Sequence, residues 1–139
     1  MEVPVWSLTE VFPGFDSDSY RAAKEETSSL LAELNALLEA DPLADAPCSD
    51  SLVALLARLD RLQVLGETLQ AYVYARFSTD TRDAGVLAEL NAVEALLVPA
   101  SVVEVRFRNV LARHEAEVRQ AIDTEPALQP YAFILQEAL

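Results

Sequence analysis

His114 is the only histidine in this 139-residue chain, and it opens a segment that begins like a helical zinc site: His114-Glu115-Ala116-Glu117-Val118. Such a site needs two imidazoles one helical turn apart, with a glutamate base beside the first. Val118 stands where the second ligand belongs, and a hydrocarbon cannot coordinate zinc, so His114 reads as a surface or helix-end histidine. A di-iron bundle needs a glutamate three residues before each histidine, and that position is Leu111. Cys48, the only cysteine, allows neither an intramolecular disulfide nor a thiolate cage. It lies between Pro47 and Ser49 with no histidine near in sequence to activate it, and reads as a bystander thiol. Carboxylates pair at Glu25/Glu26 near Ser29 and at Glu115/Glu117. Acid–base work would need one of them buried with a shifted pKa, and their polar neighbours predict exposed charge. Tyr72, Tyr74 and Phe77 make an aromatic group near a helix end, read chiefly as core packing. Three scattered glycines cannot build a phosphate-cradling loop. No catalytic, cofactor-binding or metal-ligating residue is therefore expected in the chain.

The elements that would position these residues read as helices. Residues 1–16 form an extended arm with apolar anchors Trp6, Leu8, Val11 and Phe12 and a turn at Pro13-Gly14. Asp16 or Ser17 can cap a helix over 17–40, in which Tyr20, Ala23, Thr27, Leu30, Leu31, Leu34, Leu37 and Leu38 recur at steps of three and four. Asp41-Pro42 ends it and a linker loop follows. A second helix over 50–77, capped by Ser49 or Asp50, carries an unbroken seam of Leu52, Leu55, Leu59, Leu62, Gly66, Leu69 and Val73. Gly66 within that seam predicts a close approach by a neighbouring group. Ser78-Thr79-Asp80-Thr81 supplies cap candidates for a helix over 82–113, with Val86, Leu87, Leu90, Val93, Leu96 and Leu97 before Pro99. Val102, Val103, Phe107, Val110 and Leu111 continue the period, so the proline is expected to kink one long helix. Helical segments complete 115–139, with Leu128, Tyr131, Ile134, Leu135 and Leu139 apolar. No strand pattern or repeat appears. The expected fold is all-α: one domain over 1–139, an antiparallel bundle of four to five helices with an extended arm.

Composition narrows the partners. Apolar residues make up 52%, enough for a core without metal or disulfide, and acids outnumber bases 23 to 10 for a net charge of −13. Phosphate binding needs a cationic face, and anionic membrane surfaces attract basic segments, so neither nucleic acid nor membrane is an expected partner. No uninterrupted apolar run approaches the roughly 20 residues of a membrane span, and no signal peptide is evident. The default compartment is cytoplasmic.

One set of residues carries more information. Trp6-Ser7-Leu8 and Phe12-Pro13-Gly14-Phe15-Asp16-Ser17 lead into a helix near Tyr20, and Ala71-Tyr72 precedes Ser78-Thr79-Asp80-Thr81-Arg82-Asp83. In that order they resemble the N-terminal region of the oligoendopeptidase F branch of the thimet-type zinc metallopeptidases. The resemblance spans almost the whole chain as an order of helices, although its motifs are short. It implies a parent hydrolase that cleaves oligopeptides inside a helical clamshell, this domain forming part of the channel wall. The parent's zinc ligands and glutamate base belong to a downstream His-Glu-x-x-His segment, and none maps onto a residue here. The implied partners are the parent's C-terminal catalytic domain and its oligopeptide substrate. The chain alone is expected to hold no zinc and to be inactive. The alternatives are a stand-alone helical interaction module and, less favoured, a small enzyme using its carboxylates with Tyr72 or Tyr74. Apolar residues beyond one seam (Leu56, Val64, Leu65, Tyr72, Tyr74, Val102, Val103, Val105) predict self-association of the isolated chain as a homodimer.

Overall fold

A computed structural model of the chain describes residues 7–45 and 48–139. Trp6 and the earlier arm residues, and Pro47, lie outside them. Among the described residues there are six α-helices and no strand: α1 (Asp18–Glu39), α2 (Cys48–Thr79), α3 (Ala84–Leu97), α4 (Ala100–Arg113), α5 (Glu115–Thr124) and α6 (Ala132–Ala138). A 3-10 helix, Pro126–Tyr131, precedes α6. The fold class is all-α. The chain divides into two compact units, Met1–Ser29 with Gln63–Val98, and Leu30–Leu62 with Pro99–Leu139. Nothing in the spacing of apolar residues announces that division, because α1 and α2 each run unbroken through it.

The first unit is built on aromatic residues. The described part of its arm, residues 7–16, is less extended than its sequence suggests: the amides of Val11 and Phe12 both bond the Leu8 carbonyl, closing a single turn. That turn buries Phe12 and leaves Val11 about half exposed, so Val11 is no anchor. Ser17 ends the arm as the N-cap of α1, its Oγ accepting from the Tyr20 amide at 3.3 Å and donating to the Gly14 carbonyl at 2.7 Å. Tyr20, Ala23 and Thr27 from α1, Leu65, Leu69, Tyr72 and Val73 from α2, and Val86, Leu90 and Val93 from α3 form the core. Thr27 is buried without penalty because its hydroxyl donates to the Ala23 carbonyl at 2.7 Å. A Cβ on Gly66 would come within 3.3 Å of Leu97 Cδ2, the close approach that the seam predicts.

Ser78 and Thr79 do not cap α3. Both belong to the end of α2, where their hydroxyls donate back to the carbonyls of Tyr74 and Arg76. The cap is Asp83, whose Oδ1 accepts from the amides of Gly85 at 2.8 Å and Val86 at 3.2 Å. Within α3, Leu87 is partly turned to solvent because it falls about 90° round the helix from the centre of the buried stripe.

The second unit packs an aliphatic core. Leu31, Leu34 and Leu38 of α1, Leu52, Leu55, Leu56 and Leu62 of α2, and Leu43 of the intervening loop meet Val103, Phe107, Val110 and Leu111 of α4. Val118, Ala121 and Ile122 of α5, with Leu128 and Leu135, complete it. Helix α2 starts at Cys48, so Ser49 and Asp50 lie inside its first turn and are not its caps. The stretch expected as one kinked helix over 82–113 runs helical over Ala84–Arg113, with a break at Val98-Pro99 that separates α3 from α4. Val98 (φ −50°, ψ −44°) and Pro99 (φ −64°, ψ −14°) keep right-handed dihedrals between them, and the proline, lacking an N–H, interrupts the hydrogen-bond ladder there. By length and composition alone, Ala84–Arg113 is apolar enough to cross a membrane, a property hidden by counting only uninterrupted apolar residues. At the C-terminus Leu128 and Leu135 are buried, while Phe133 and Ile134 are 70% and 60% exposed, so Ile134 is not a core residue.

Candidate functional site

Two places concentrate polar and aromatic side chains, one in each unit. In the first unit, Phe12, Phe15, Tyr20 and Tyr72 form a closed group with ring centroids 5.1–5.6 Å apart, mostly edge to face. The sequence-level group of Tyr72, Tyr74 and Phe77 is thereby corrected. Residues two apart on a helix point about 200° apart, so Tyr72 turns inward to the arm's phenylalanines while Tyr74 faces outward and donates to Glu94. Tyr20 donates to Glu89 Oε2 at 3.0 Å, and Lys24 Nζ donates to the same oxygen at 3.0 Å. Burial, and then the Glu89 carboxylate, push the Tyr20 phenol well above the ordinary tyrosine range. Arg76 lies over the Phe15 ring at 4.8 Å and donates to the Tyr72 hydroxyl at 3.3 Å. Such a group orders the arm against α1 and α2. It offers no substrate access to Tyr72, which is 2% exposed. The Tyr74 phenol is raised by its hydrogen bond to Glu94, which makes it a poor base near neutrality.

In the second unit His114 occupies the break between α4 and α5, as C-cap of one and N-cap of the other. Its Nε2 meets Asp41 Oδ1 at 2.9 Å, and Arg113 Nε stands 3.7 Å from Asp41 Oδ2. Asp41 follows α1 with φ +55°, the left-handed conformation that glycine usually fills at a helix end. Val118, at the position of a second zinc ligand, is fully buried, and Leu111 likewise. Beside this corner an open groove of about 570 Å³ is lined by Leu38, Glu39, Arg106, Asn109, Ala112 and Arg113. No spacing argument had singled out Asp41, Arg106 or Arg113. The recurrence of Arg106, Asn109 and Arg113 at three and seven residues on one helix was the available signal.

The remaining sequence candidates stay apart. Glu115 pairs with Arg119 at 2.8 Å on its own helix. The Cys48 thiol is raised by burial first and by the Glu117 carboxylate second, which holds it in its unreactive form. Glu25 and Ser29 are exposed on α1. Among the described residues no three His, Cys, Asp or Glu side chains converge as a metal-holding group. Zinc does not fit His114, whose described partner is a single aspartate and whose neighbour one turn on is a valine. Compared with known proteins, the chain matches no family model, no curated protein and no solved structure.

Proposed function

We propose that this chain is the non-catalytic N-terminal helical domain of a zinc-dependent oligoendopeptidase of the F type, forming part of the wall of its peptide channel. The observation that supports the reading is the meeting of its motif residues. Phe12 and Phe15 of the arm, Tyr20 of α1 and Tyr72 of α2 are scattered over 60 positions of sequence, yet share one aromatic cluster. Asp80 and Asp83 of the Ser-Thr-Asp-Thr-Arg-Asp stretch have defined local roles, accepting from the Arg82 amide and capping α3. Residues spaced in this way serve one scaffold, and a scaffold role needs no ionisable group aimed at solvent. Zinc chemistry in this reading belongs to the parent's downstream segment, and no step is assigned to a residue of this chain.

The gene sequence past Leu139 tests the proposal directly. A His-Glu-x-x-His segment in the same reading frame is the expected result, and a stop codon after Leu139 would transfer the argument to the stand-alone interaction module. The protein gives a second test. Residues 1–139 alone are expected to hold no stoichiometric zinc and to leave quenched-fluorescent oligopeptides intact, with or without added zinc. The full polypeptide should carry about one zinc, as a catalytic site of this kind does, and lose turnover to a chelator. Chelator-sensitive turnover travelling with the 1–139 chain would overturn the assignment.

A further inference from the structure

The groove in the second unit holds two guanidiniums whose hydrogen-bonding capacity is largely unspent. Arg58, Arg108 and Arg119 hydrogen-bond carboxylates at 2.6, 2.9 and 2.8 Å. Arg106 and Arg113 are different. Each has a carboxylate 3.7 Å away, Glu39 and Asp41 respectively, which is an ion pair without a hydrogen bond. Among the described residues, Arg106 hydrogen-bonds the Asn35 carbonyl at 3.3 Å. A guanidinium carries five donors, so most of those on both residues meet no described acceptor. The two positions are seven residues apart on α4, with Asn109 between them, and therefore share one face about 10.5 Å long. All three line the groove, together with the exposed Ala112 and the largely buried Leu38.

From this juxtaposition we propose that the groove binds an extended acidic peptide with two carboxylates three residues apart, one at each guanidinium. A polyproline-II segment advances about 3.1 Å per residue with three residues per turn. Glutamates at positions i and i+3 therefore project from one side about 9.3 Å apart, close to the roughly 10.5 Å axial offset between the two arginine backbone positions on α4. Bidentate carboxylates match the guanidinium fork, and intervening prolines would lie against Ala112. Glu39 is the group displaced. Its side chain is 77% exposed and its pair with Arg106 lacks a hydrogen bond, so an exposed pair of this kind holds it weakly. Asp41 keeps His114. The net charge of −13 repels an acidic peptide at long range, but at physiological salt that field is screened beyond about 8 Å, while contacts in the groove are not. This inference is independent of the peptidase reading, since it rests on the groove alone.

The test is a titration of the chain at about 0.15 M salt with acetyl-Glu-Pro-Pro-Glu-amide, following the arginine Nε–Hε signals by NMR. Saturable shifts at Arg106 and Arg113 are expected, and none with acetyl-Gln-Pro-Pro-Gln-amide. Arg113→Gln should weaken binding about tenfold, the loss of one charge-assisted pair. Glu39→Gln, which removes the competing carboxylate, should tighten it about threefold. The proposal is overturned if the glutamine peptide binds equally, if the shifts fall at other arginines, or if millimolar peptide moves neither signal.

Discussion

Tyr20 has no solvent-exposed surface, donates to Glu89, and packs against Phe12, Phe15 and Tyr72. Its place in the apolar stripe of α1 was legible from spacing. Its partner was not, because Glu89 is 69 residues away and looks like any other helix-surface acid. The raised phenol sets a pH dependence whose sign is fixed by linkage. Unfolded, the phenol loses its proton near pH 10; folded, it keeps it to higher pH. Its contribution is therefore present in full below the unfolded pKa and is lost as pH rises from there toward the folded value. Tyr20→Phe should cost about 1 kcal/mol near neutrality through the lost hydrogen bond, and should flatten the alkaline fall in stability above about pH 10. Urea unfolding across a pH series would measure both, and an equally steep alkaline fall in the variant would contradict the assignment. His114 teaches the complementary lesson. The expectation that it holds no zinc rests on its neighbours in sequence, whereas Asp41, its hydrogen-bond partner, had been legible only as the end of a helix.

Among the helices, α2 was the most readable. Every leucine or valine of its seam is buried or half-buried, because a long periodic pattern leaves few alternative faces. Gly66 sits in that seam for a reason the side chains supply: an added Cβ would press on a Leu97 methyl at 3.3 Å. Leu97 is half-buried and its methyl is the end of a flexible side chain, so it can give way. Gly66→Ala should thus gain part of the roughly 1 kcal/mol difference in helix propensity and raise the melting temperature. Gly66→Leu, too large for that space, should lower it; calorimetry of both variants distinguishes a packing limit from a purely conformational one. Helix α3 was less readable. Ser78, Thr79, Asp80 and Thr81 were the cap candidates, and the residue that caps it is none of them but Asp83. Asp83→Ala should cost about 1 kcal/mol and speed amide exchange at Gly85 and Val86, the two donors it would orphan. Asp80→Ala, which removes an acceptor from a loop amide and not from α3, should leave those two amides protected.

At the scale of the whole molecule, of the eight side chains that suggested self-association, Leu56, Leu65, Tyr72 and Val103 are buried and Val64, Tyr74, Val102 and Val105 are exposed. Apolar surplus can be counted in a sequence, but which members the neighbouring helices cover cannot. Phe133, which the spacing left unassigned, and Ile134, which it counted among the apolar residues of the last segment, add exposed apolar surface. Light scattering over a dilution series is expected to show association that strengthens with salt, as screening weakens the repulsion between chains of charge −13. A strictly monomeric mass at high protein concentration and high salt would count against it.

The division of the chain has a temporal consequence. Each unit is drawn from two separated stretches of sequence, and the first is complete once Val98 has been made. Synthesis proceeds from the N-terminus and folding can begin on the nascent chain. At that moment Leu31, Leu34 and Leu38 in α1, and Leu52 and Leu55 in α2, still lack the residues of α4 to α6 that join their core. One half of each long helix has its own unit's sequence in full, while the other half must wait for Pro99–Leu139 to leave the ribosome. Stalling translation in that interval would expose a leucine-rich surface that the finished protein conceals, and a trigger for chaperone capture would exist only during that part of synthesis.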